Sequence, residues 1–210
     1  MTGEINAKEL LLGIVNVIEE NKAWLSEIDG AVGDGDHGIN MAKGFSMVGD
    51  GLDQQPDDLG SLLGYVGMTL LTHIGGAMGP IYGTFFIKMG KAVKGKRNLE
   101  TADVSSMLTA ALEGVVKRGG AEVGDKTLID TLYAADRAFK KAAESGKALA
   151  ESLDEMMAAA KSGMESTKDM VAKKGRSSRL GERSRGTIDA GSASCYLILT
   201  SMGESIKQYL

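Results

Sequence analysis

Cysteine occurs only once in the chain, at position 195. A single cysteine cannot form a disulfide within one chain, so the fold cannot depend on such a bond. Chains that work in reducing compartments commonly carry no disulfide. Histidine is almost as rare, with two residues in 210, and both lie far from Cys195 in sequence. A catalytic pair of cysteine and histidine is therefore unsupported.

Long apolar runs are also missing from the sequence. No stretch approaches the roughly 20 apolar residues that a membrane-spanning helix needs. The first six residues are polar and acidic, whereas a secretory leader combines positive charge with an apolar segment. Together with the lone cysteine, these features lead us to expect a cytoplasmic protein that has no contact with membrane.

Positive charge is not in excess, since 24 lysines and arginines face 28 aspartates and glutamates, giving a net charge of −4. A nucleic-acid-binding protein usually has a basic surplus, so we expect no nucleic-acid partner. Hydrophobic residues make up 43% of the chain and charged residues 25%, which is typical of a globular protein. At this length we expect one domain covering residues 1–210.

The alternating apolar pattern of β-strands is absent, and apolar residues recur at helical spacing instead. Eight helices are predicted: residues 7–28, a second from near His37, a third from Leu59, a fourth from Ile81, a fifth capped by Thr101, a sixth from about Lys126, a seventh over 147–172, and an eighth through Leu199. Short connections favour antiparallel neighbours. The predicted fold class is all-α, and residues 173–189 are predicted to form a basic loop without periodicity.

The segment from Asp29 to Asn40 concentrates the groups that could carry chemistry. It contains three aspartates, four glycines, a histidine and an asparagine within twelve residues. Mg²⁺ is usually held by carboxylate oxygens together with substrate phosphates. Asp34 and Asp36 can point the same way in an extended loop, and Asp29 can return from the preceding helix. A solvated turn between two helices explains the same residue types equally well.

Three further segments could contact a phosphate. Residues 75–80 are small and glycine-rich and lie between two helices, so their N–H groups could approach an anion; a tight turn is the alternative explanation. Residues 119–127 resemble a P-loop, but an aspartate interrupts the motif and no strand precedes it. Residues 173–191 are rich in arginine, which favours phosphate, although a solvated basic loop is equally ordinary.

Taken together, these segments resemble the L subunit of bacterial dihydroxyacetone kinase, which also occurs as the C-terminal domain of single-chain dihydroxyacetone kinases. The matching motifs follow the family order and span nearly the whole chain: GDGDHGINM at 33–41, GMTLL at 67–71, GGA at 75–77, GTFF at 83–86, GDKT at 124–127, KGR at 174–176 and LGERS at 180–184. The departures from the usual pattern fall at Met78, Arg179, Thr187 and Ala190.

The resemblance implies an eight-helix antiparallel barrel with a nucleotide and two Mg²⁺ ions at one end. The metal ligands of the family correspond to Asp29, Asp34 and Asp36. No catalytic residue is expected beyond this metal site. The nucleotide contacts correspond to twelve residues: His37, Gly38, Ile39, Asn40, Ala77, Met78, Gly119, Leu128, Arg176, Asp189, Ala190 and Gly191.

The resemblance also implies a function and partners. ADP would stay bound as a coenzyme, a phosphohistidine on an M subunit would recharge it to ATP, and the γ-phosphoryl would pass to dihydroxyacetone on a K subunit. A homodimer is a further expectation. Two alternatives remain open: an ATP-dependent kinase subunit for another short ketose or tetrose, and a non-catalytic regulatory module that binds nucleotide. A plain helical scaffold is disfavoured by the aspartate segment.

Overall fold

The computed structural model describes all 210 residues and contains nine α-helices and no β-strand. The predicted all-α class is confirmed, although the count is nine helices rather than eight. The helices are α1 (Ala7–Glu20), α2 (Lys22–Val32), α3 (His37–Gly51), α4 (Leu59–His73), α5 (Met78–Ala92), α6 (Thr101–Gly119), α7 (Leu128–Glu144), α8 (Leu149–Ser166) and α9 (Ala190–Lys207).

Eight of these helices form a closed ring. Each of α3 to α8 packs against the next helix in the chain, and α1 closes the ring by contacting both α3 and α9. Helix α2 lies against α3 and α9 at the end where α1 finishes. The antiparallel barrel that the sequence predicts is therefore present, with α2 as an addition to it.

The apolar stripes that helical spacing predicts all face the core. Leu62, Val66 and Leu70 of α4 are buried, as are Phe85 and Met89 of α5. Forty-seven buried apolar side chains form one continuous cluster inside the ring. Since every helix contributes its apolar side to this cluster, burial of apolar surface is the main force that holds the ring together.

The ninth helix arises at Asn21, where the predicted helix over residues 7–28 bends. Asn21 has φ −99° and ψ 8°, outside the helical region, and its side-chain amide donates to the carbonyl oxygen of Val17 at 2.8 Å. Side chains that bond to the local backbone in this way compete with regular helix geometry. The apolar spacing continues through the bend, so periodicity alone did not reveal it.

Other predicted boundaries are also corrected by the structure, and α5 begins at Met78 rather than at Ile81. Thr101 is the first residue of α6 and Glu100 takes the capping position, where its N–H donates to Asp103 at 3.0 Å. Helix α7 starts at Leu128 because Lys126 has φ 62°, which no right-handed helix accommodates. Helix α8 ends at Ser166, and the basic segment contains short 3₁₀ turns over Ser177–Ser184.

Helices α4 and α5 approach each other closely because glycines line their contact. A Cβ atom on Gly67 would lie 2.6 Å from the carbonyl oxygen of Gly83, and one on Gly90 would lie 2.5 Å from that of Gly60. Both distances are far below van der Waals contact. This pair of helices carries the glycine-rich connection at residues 74–77, so their packing fixes one wall of the cleft described below.

No helix in the structure is both long enough and apolar enough to cross a membrane.

The glycine contact between α4 and α5 predicts opposite effects for two alanine substitutions in the same helix. Gly67→Ala should lower the free energy of unfolding by about 1–3 kcal/mol, because the added methyl overpacks the contact. Gly64→Ala is the matched control: a Cβ there meets no atom within 4 Å, and alanine favours the helix by up to about 1 kcal/mol. Urea unfolding followed by circular dichroism measures both. Equal stability of the two variants would contradict the assigned contact.

Candidate functional site

One end of the barrel contains a cleft of about 680 Å³. Helices α3, α5, α7 and α9 all begin at this cleft, and α2, α4 and α6 end beside it. The N-terminal end of a helix carries a partial positive charge and unpaired N–H groups. Four helix starts around one cleft therefore make it suitable for an anion.

Three aspartates converge on one side of the cleft. Asp29 lies in the last turn of α2, and Asp34 and Asp36 lie in the connection to α3. Their ligand oxygens all lie within 4.8 Å of one another. The carboxylate of Asp29 also accepts the backbone N–H of His37 at 3.3 Å, which ties the end of α2 to the start of α3. The arrangement is a preformed cluster of oxygen donors.

Arginine balances part of this negative charge. Arg176 forms ion pairs with Asp34 and, at 3.3 Å, with Asp36. All three side chains are about half exposed, so solvent weakens these pairs and they add little stability. The donor set consists of carboxylates only, with no sulfur or imidazole among them, which matches the preference of Mg²⁺. The residues present therefore fit the predicted metal.

Next to the aspartates, the start of α5 has free backbone donors. Residues 75–79 donate no N–H hydrogen bond within the chain, and Ala77, which precedes α5, offers no side-chain cap. The starts of α7 and α9 are capped instead, by Thr127 bonding the N–H of Ile129 and by Asp189 bonding that of Ser192. Among the starts of α5, α7 and α9, an anion in the cleft thus finds its free N–H groups mainly at α5.

The opposite side of the cleft is apolar. It is formed by side chains of α5, α6, α7 and the connection before α7, namely Ile81, Val115, Ala121, Leu128 and Ile129. Gly119 lies among them, and a Cβ there would be 3.0 Å from the Cδ1 atom of Ile81. This surface suits an apolar group, while the aspartates and the start of α5 suit a charged one.

Buried polar groups lie beneath the cleft. The His37 Nε2 atom lies 2.8 Å from Ser194 Oγ, which in turn lies 2.6 Å from the hydroxyl of Tyr82. Tyr82 also donates to the carbonyl oxygen of Gly191 at 3.0 Å. Burial lowers the pKa of the His37 imidazole to about 4, against the opposing effect of the Asp29 carboxylate. At neutral pH the imidazole is therefore uncharged and fixed in orientation.

Asp189 is a second titratable group of the cleft wall. Burial raises the pKa of its carboxyl group to about 6, although the N–H of Ser192 and the charge of Lys126 favour the ionised form. The hydrogen bond from Ser192 measures 2.7 Å. Asp189 thus holds the start of α9 in place, and above pH 6 it presents a carboxylate to the cleft.

The structure brings most of the predicted site residues together. All three aspartates line the cleft, as do ten of the twelve predicted nucleotide contacts: His37, Asn40, Ala77, Met78, Gly119, Leu128, Arg176, Asp189, Ala190 and Gly191. Gly38 and Ile39 do not line it. Gly38 presses against α2, where a Cβ would lie 2.0 Å from the carbonyl oxygen of Lys22, and Ile39 is 54% exposed.

Sequence reasoning missed most of the apolar lining of the cleft, although it did propose Leu128. Val32, Ile81, Tyr82, Ala121 and Ile129 line the cleft without having been proposed as contacts, and Val115 was assigned to the core alone. All of them are apolar or aromatic residues within or near a terminal turn, where they look like ordinary core positions. The one feature of the sequence that could have identified them as cleft residues is their position next to the glycine-rich connections at the cleft end of the barrel.

Comparison with known proteins agrees with this architecture. The family model described as DAK2 domain matches residues 31–204. The chain is 40% identical over 185 residues to a Lactococcus lactis protein named as the ADP-binding subunit of a PTS-dependent dihydroxyacetone kinase, covering 87% of this chain and 88% of that one. It is 36% identical over 194 residues to the ADP-binding subunit of the Escherichia coli PEP-dependent dihydroxyacetone kinase, covering 92% of both.

A solved structure shares the fold. The dihydroxyacetone kinase of C. freundii in complex with AMP-PNP and Mg²⁺ superposes with a TM-score of 0.72 at 23% identity, over 95% of this chain and 33% of that one. The family match covers most of the chain, and two relatives match along nearly their whole length. The chain therefore belongs to the DAK2 domain family.

Proposed function

We propose that this chain is the nucleotide-binding, phosphoryl-transferring subunit of a dihydroxyacetone kinase. The observation that carries the proposal is one cleft that combines three convergent carboxylates, a helix start with free N–H groups and an apolar wall. These three surfaces suit a metal ion, a polyphosphate and a flat base, respectively. The names of the full-length relatives, which are ADP-binding subunits of such kinases, support the same assignment.

Asp29, Asp34 and Asp36 would hold the metal, with two Mg²⁺ ions as the expected number. When bound, Mg²⁺ neutralises charge on phosphate oxygens, which is the main requirement of phosphoryl transfer. The three carboxylates then lose the mutual repulsion that their spacing imposes. Arg176, which pairs with two of them, would exchange these contacts for phosphate oxygens.

ADP or ATP would lie across the cleft with its phosphates at the aspartates and its base on the apolar wall. Free N–H groups at residues 75–78, which line the cleft, would donate hydrogen bonds to phosphate oxygens, helped by the positive end of α5. Ile81 and Leu128 belong to the wall that would cover the base. His37 stays neutral, so it would orient the ligand rather than add charge.

We expect the chain to supply no general base for a sugar hydroxyl, since the Asp189 carboxylate of the cleft wall is bonded to the N–H of Ser192 at the start of α9. His37, the histidine that lines the cleft, is buried with a strongly lowered pKa and is already bonded to Ser194. The acceptor, dihydroxyacetone, would therefore be held by a K subunit, and a phosphohistidine on an M subunit would recharge ADP to ATP. We place the whole of residues 1–210 in one such domain, with the cytoplasm as its compartment and homodimer formation as an accompanying expectation.

The two rival functions differ in measurable ways. A subunit for another short ketose or tetrose would be recharged by free ATP rather than by a phosphohistidine protein. A regulatory module would retain its nucleotide without turnover in the presence of any sugar-binding partner. The two relatives that match along nearly their whole length favour the first proposal, because one is named as PEP-dependent and the other as PTS-dependent.

Removing one carboxylate should abolish metal-dependent retention of nucleotide. Asp34→Asn and Asp36→Asn each remove the charge of one expected metal ligand. Both side chains are about half exposed and lie outside the core, so the fold should persist while Mg²⁺-dependent binding of ADP is lost. The measurement is equilibrium dialysis with and without EDTA, together with thermal unfolding. For the parent, ligand at about 100 times Kd should add roughly 2.7 kcal/mol of stability.

The matched control for this test is Asp57→Asn, an exposed aspartate in the connection before α4 that makes no hydrogen bond. It should bind ADP as the parent does. Retention of ADP by Asp34→Asn and Asp36→Asn at parental affinity would show that these carboxylates do not hold the metal.

A separate expectation concerns the missing acceptor site. Orientation of the two reactants supplies much of the rate of a group transfer, so the isolated chain, preloaded with ATP, should not phosphorylate dihydroxyacetone at a useful rate. Addition of a K-type subunit should restore transfer in a single turnover. Quenched-flow measurement of dihydroxyacetone phosphate compares transfer by the isolated chain with transfer in the presence of the K-type subunit. Fast turnover by the chain alone would reveal an acceptor site within it and refute the proposed division of labour.

A further inference from the structure

Lys126 has no role in the function proposed above, yet its surroundings are unusual for a lysine. It is 1% exposed, and its φ of 62° makes it the one residue other than glycine in the left-handed region. The Cβ atom of any residue other than glycine makes this backbone conformation unfavourable, and burial of an ammonium group is unfavourable as well. Two such features at one residue call for a compensating interaction.

That interaction is a set of three hydrogen bonds. The Lys126 ammonium donates to the carbonyl oxygens of Ser184 and Thr187, both at 2.6 Å, and to that of Met170 at 3.3 Å. An ammonium group has three hydrogens, so all its donors are used. Burial lowers the pKa of Lys126, while the nearby Asp189 carboxylate acts in the opposite direction. The group is satisfied as a cation.

These contacts also show what Lys126 does not do. It is absent from the lining of the cleft, and its ammonium has no hydrogen left for a phosphate. The GDKT sequence thus resembles the end of a P-loop, but its lysine points to protein carbonyls. Of the four residues of this motif, only Thr127 lines the cleft, and it caps α7.

The three carbonyls belong to the two ends of a single segment, residues 170–187, which we term the arginine loop. Met170 stands at its start, and Ser184 and Thr187 stand at its end. Two further bonds brace the same base: the N–H of Ala172 donates to Ser184 Oγ at 2.9 Å, and that of Lys173 donates to the carbonyl oxygen of Asp125 at 3.1 Å.

Between these ends, the arginine loop reaches across the cleft to the aspartates. Arg176 pairs with Asp34 and Asp36, and Lys174 and Arg179 also line the cleft. Nine of the eighteen loop residues are exposed, and the two buried ones, Ala172 and Ser184, both lie at the base, so the base determines where the arginines lie. Removal of the ammonium would leave three carbonyls at that base without their donor.

We infer that Lys126 is a positioning residue, which closes the base of the arginine loop and thereby places Arg176 at the aspartate cluster. The inference rests on the proposed function for its consequence in nucleotide binding, but the closure of the loop can be measured without nucleotide. Lys126 would act on the bound phosphates only through Arg176, since it does not reach the cleft itself.

The test compares Lys126→Met, which keeps the length of the side chain but removes the ammonium, with Lys173→Met in the same loop. Lys173 is an exposed lysine paired with Asp125 at 3.2 Å, so its substitution controls for loss of positive charge. Hydrogen exchange of the free protein is measured first. Amides of residues 170–187 should exchange at least tenfold faster in Lys126→Met, with α4 and α5 unchanged and Lys173→Met like the parent.

The second measurement is a double-mutant cycle on the Kd for Mg-ADP, using Lys126→Met, Arg176→Ala and the combined variant. Each single change should raise the Kd at least tenfold. The Kd of the combined variant should be no higher than that of the single variant that binds more weakly. Such coupling is expected only if the lysine acts through the arginine. Lys126→Gln, which keeps two N–H donors, should show a smaller loss and serves as the variant if Lys126→Met does not fold.

Two results would overturn the inference. One is unchanged exchange in residues 170–187 when the ammonium is removed. The other is a combined variant whose loss equals the product of the two single losses, since the residues would then act independently. Failure of the parent to bind Mg-ADP would instead overturn the proposed function, while the exchange comparison would still decide whether Lys126 closes the loop.

Discussion

Three carboxylates held within 4.8 Å of one another determine which charges the cleft end of this barrel must contain. Like charges at this spacing repel, so the fold must bring positive charge to them. It does so in two ways. Arg176 reaches the aspartates from the segment before α9, and four helices begin at the cleft beside them. The same positive groups that balance the aspartates also favour a polyphosphate, which explains why metal and nucleotide would bind together.

The ring of antiparallel helices is what places these groups at one end. Because successive helices reverse direction, every second helix presents its start to the same rim, and the connections between helices alternate between the two rims. The glycine contact of Gly67 with Gly83 lets α4 and α5 lie close together, so the connection between them sits directly at the cleft. Buried hydrogen bonds between His37 and Ser194, and between Ser194 and Tyr82, then join α3, α5 and α9 beneath it.

Much of this could be predicted from the sequence, and the exceptions share a physical cause. Apolar spacing located the helical segments but merged α1 with α2, and the residue types at 29–40 marked the carboxylate cluster. Helical periodicity is insensitive to local backbone geometry, so it missed the bend at Asn21 and extended α7 back to Lys126. The apolar wall, with Ile81 and Ile129, looked like core because a base-binding surface and a core surface use the same side chains.

The central claim, that the cleft holds a nucleotide with its metal, is tested most directly by native mass spectrometry of the protein purified in Mg²⁺ without added nucleotide. The account predicts a mass above that of the chain by one ADP and bound magnesium, and loss of both after treatment with EDTA. A mass equal to the bare chain, both as purified and after incubation with saturating Mg-ADP, would contradict it.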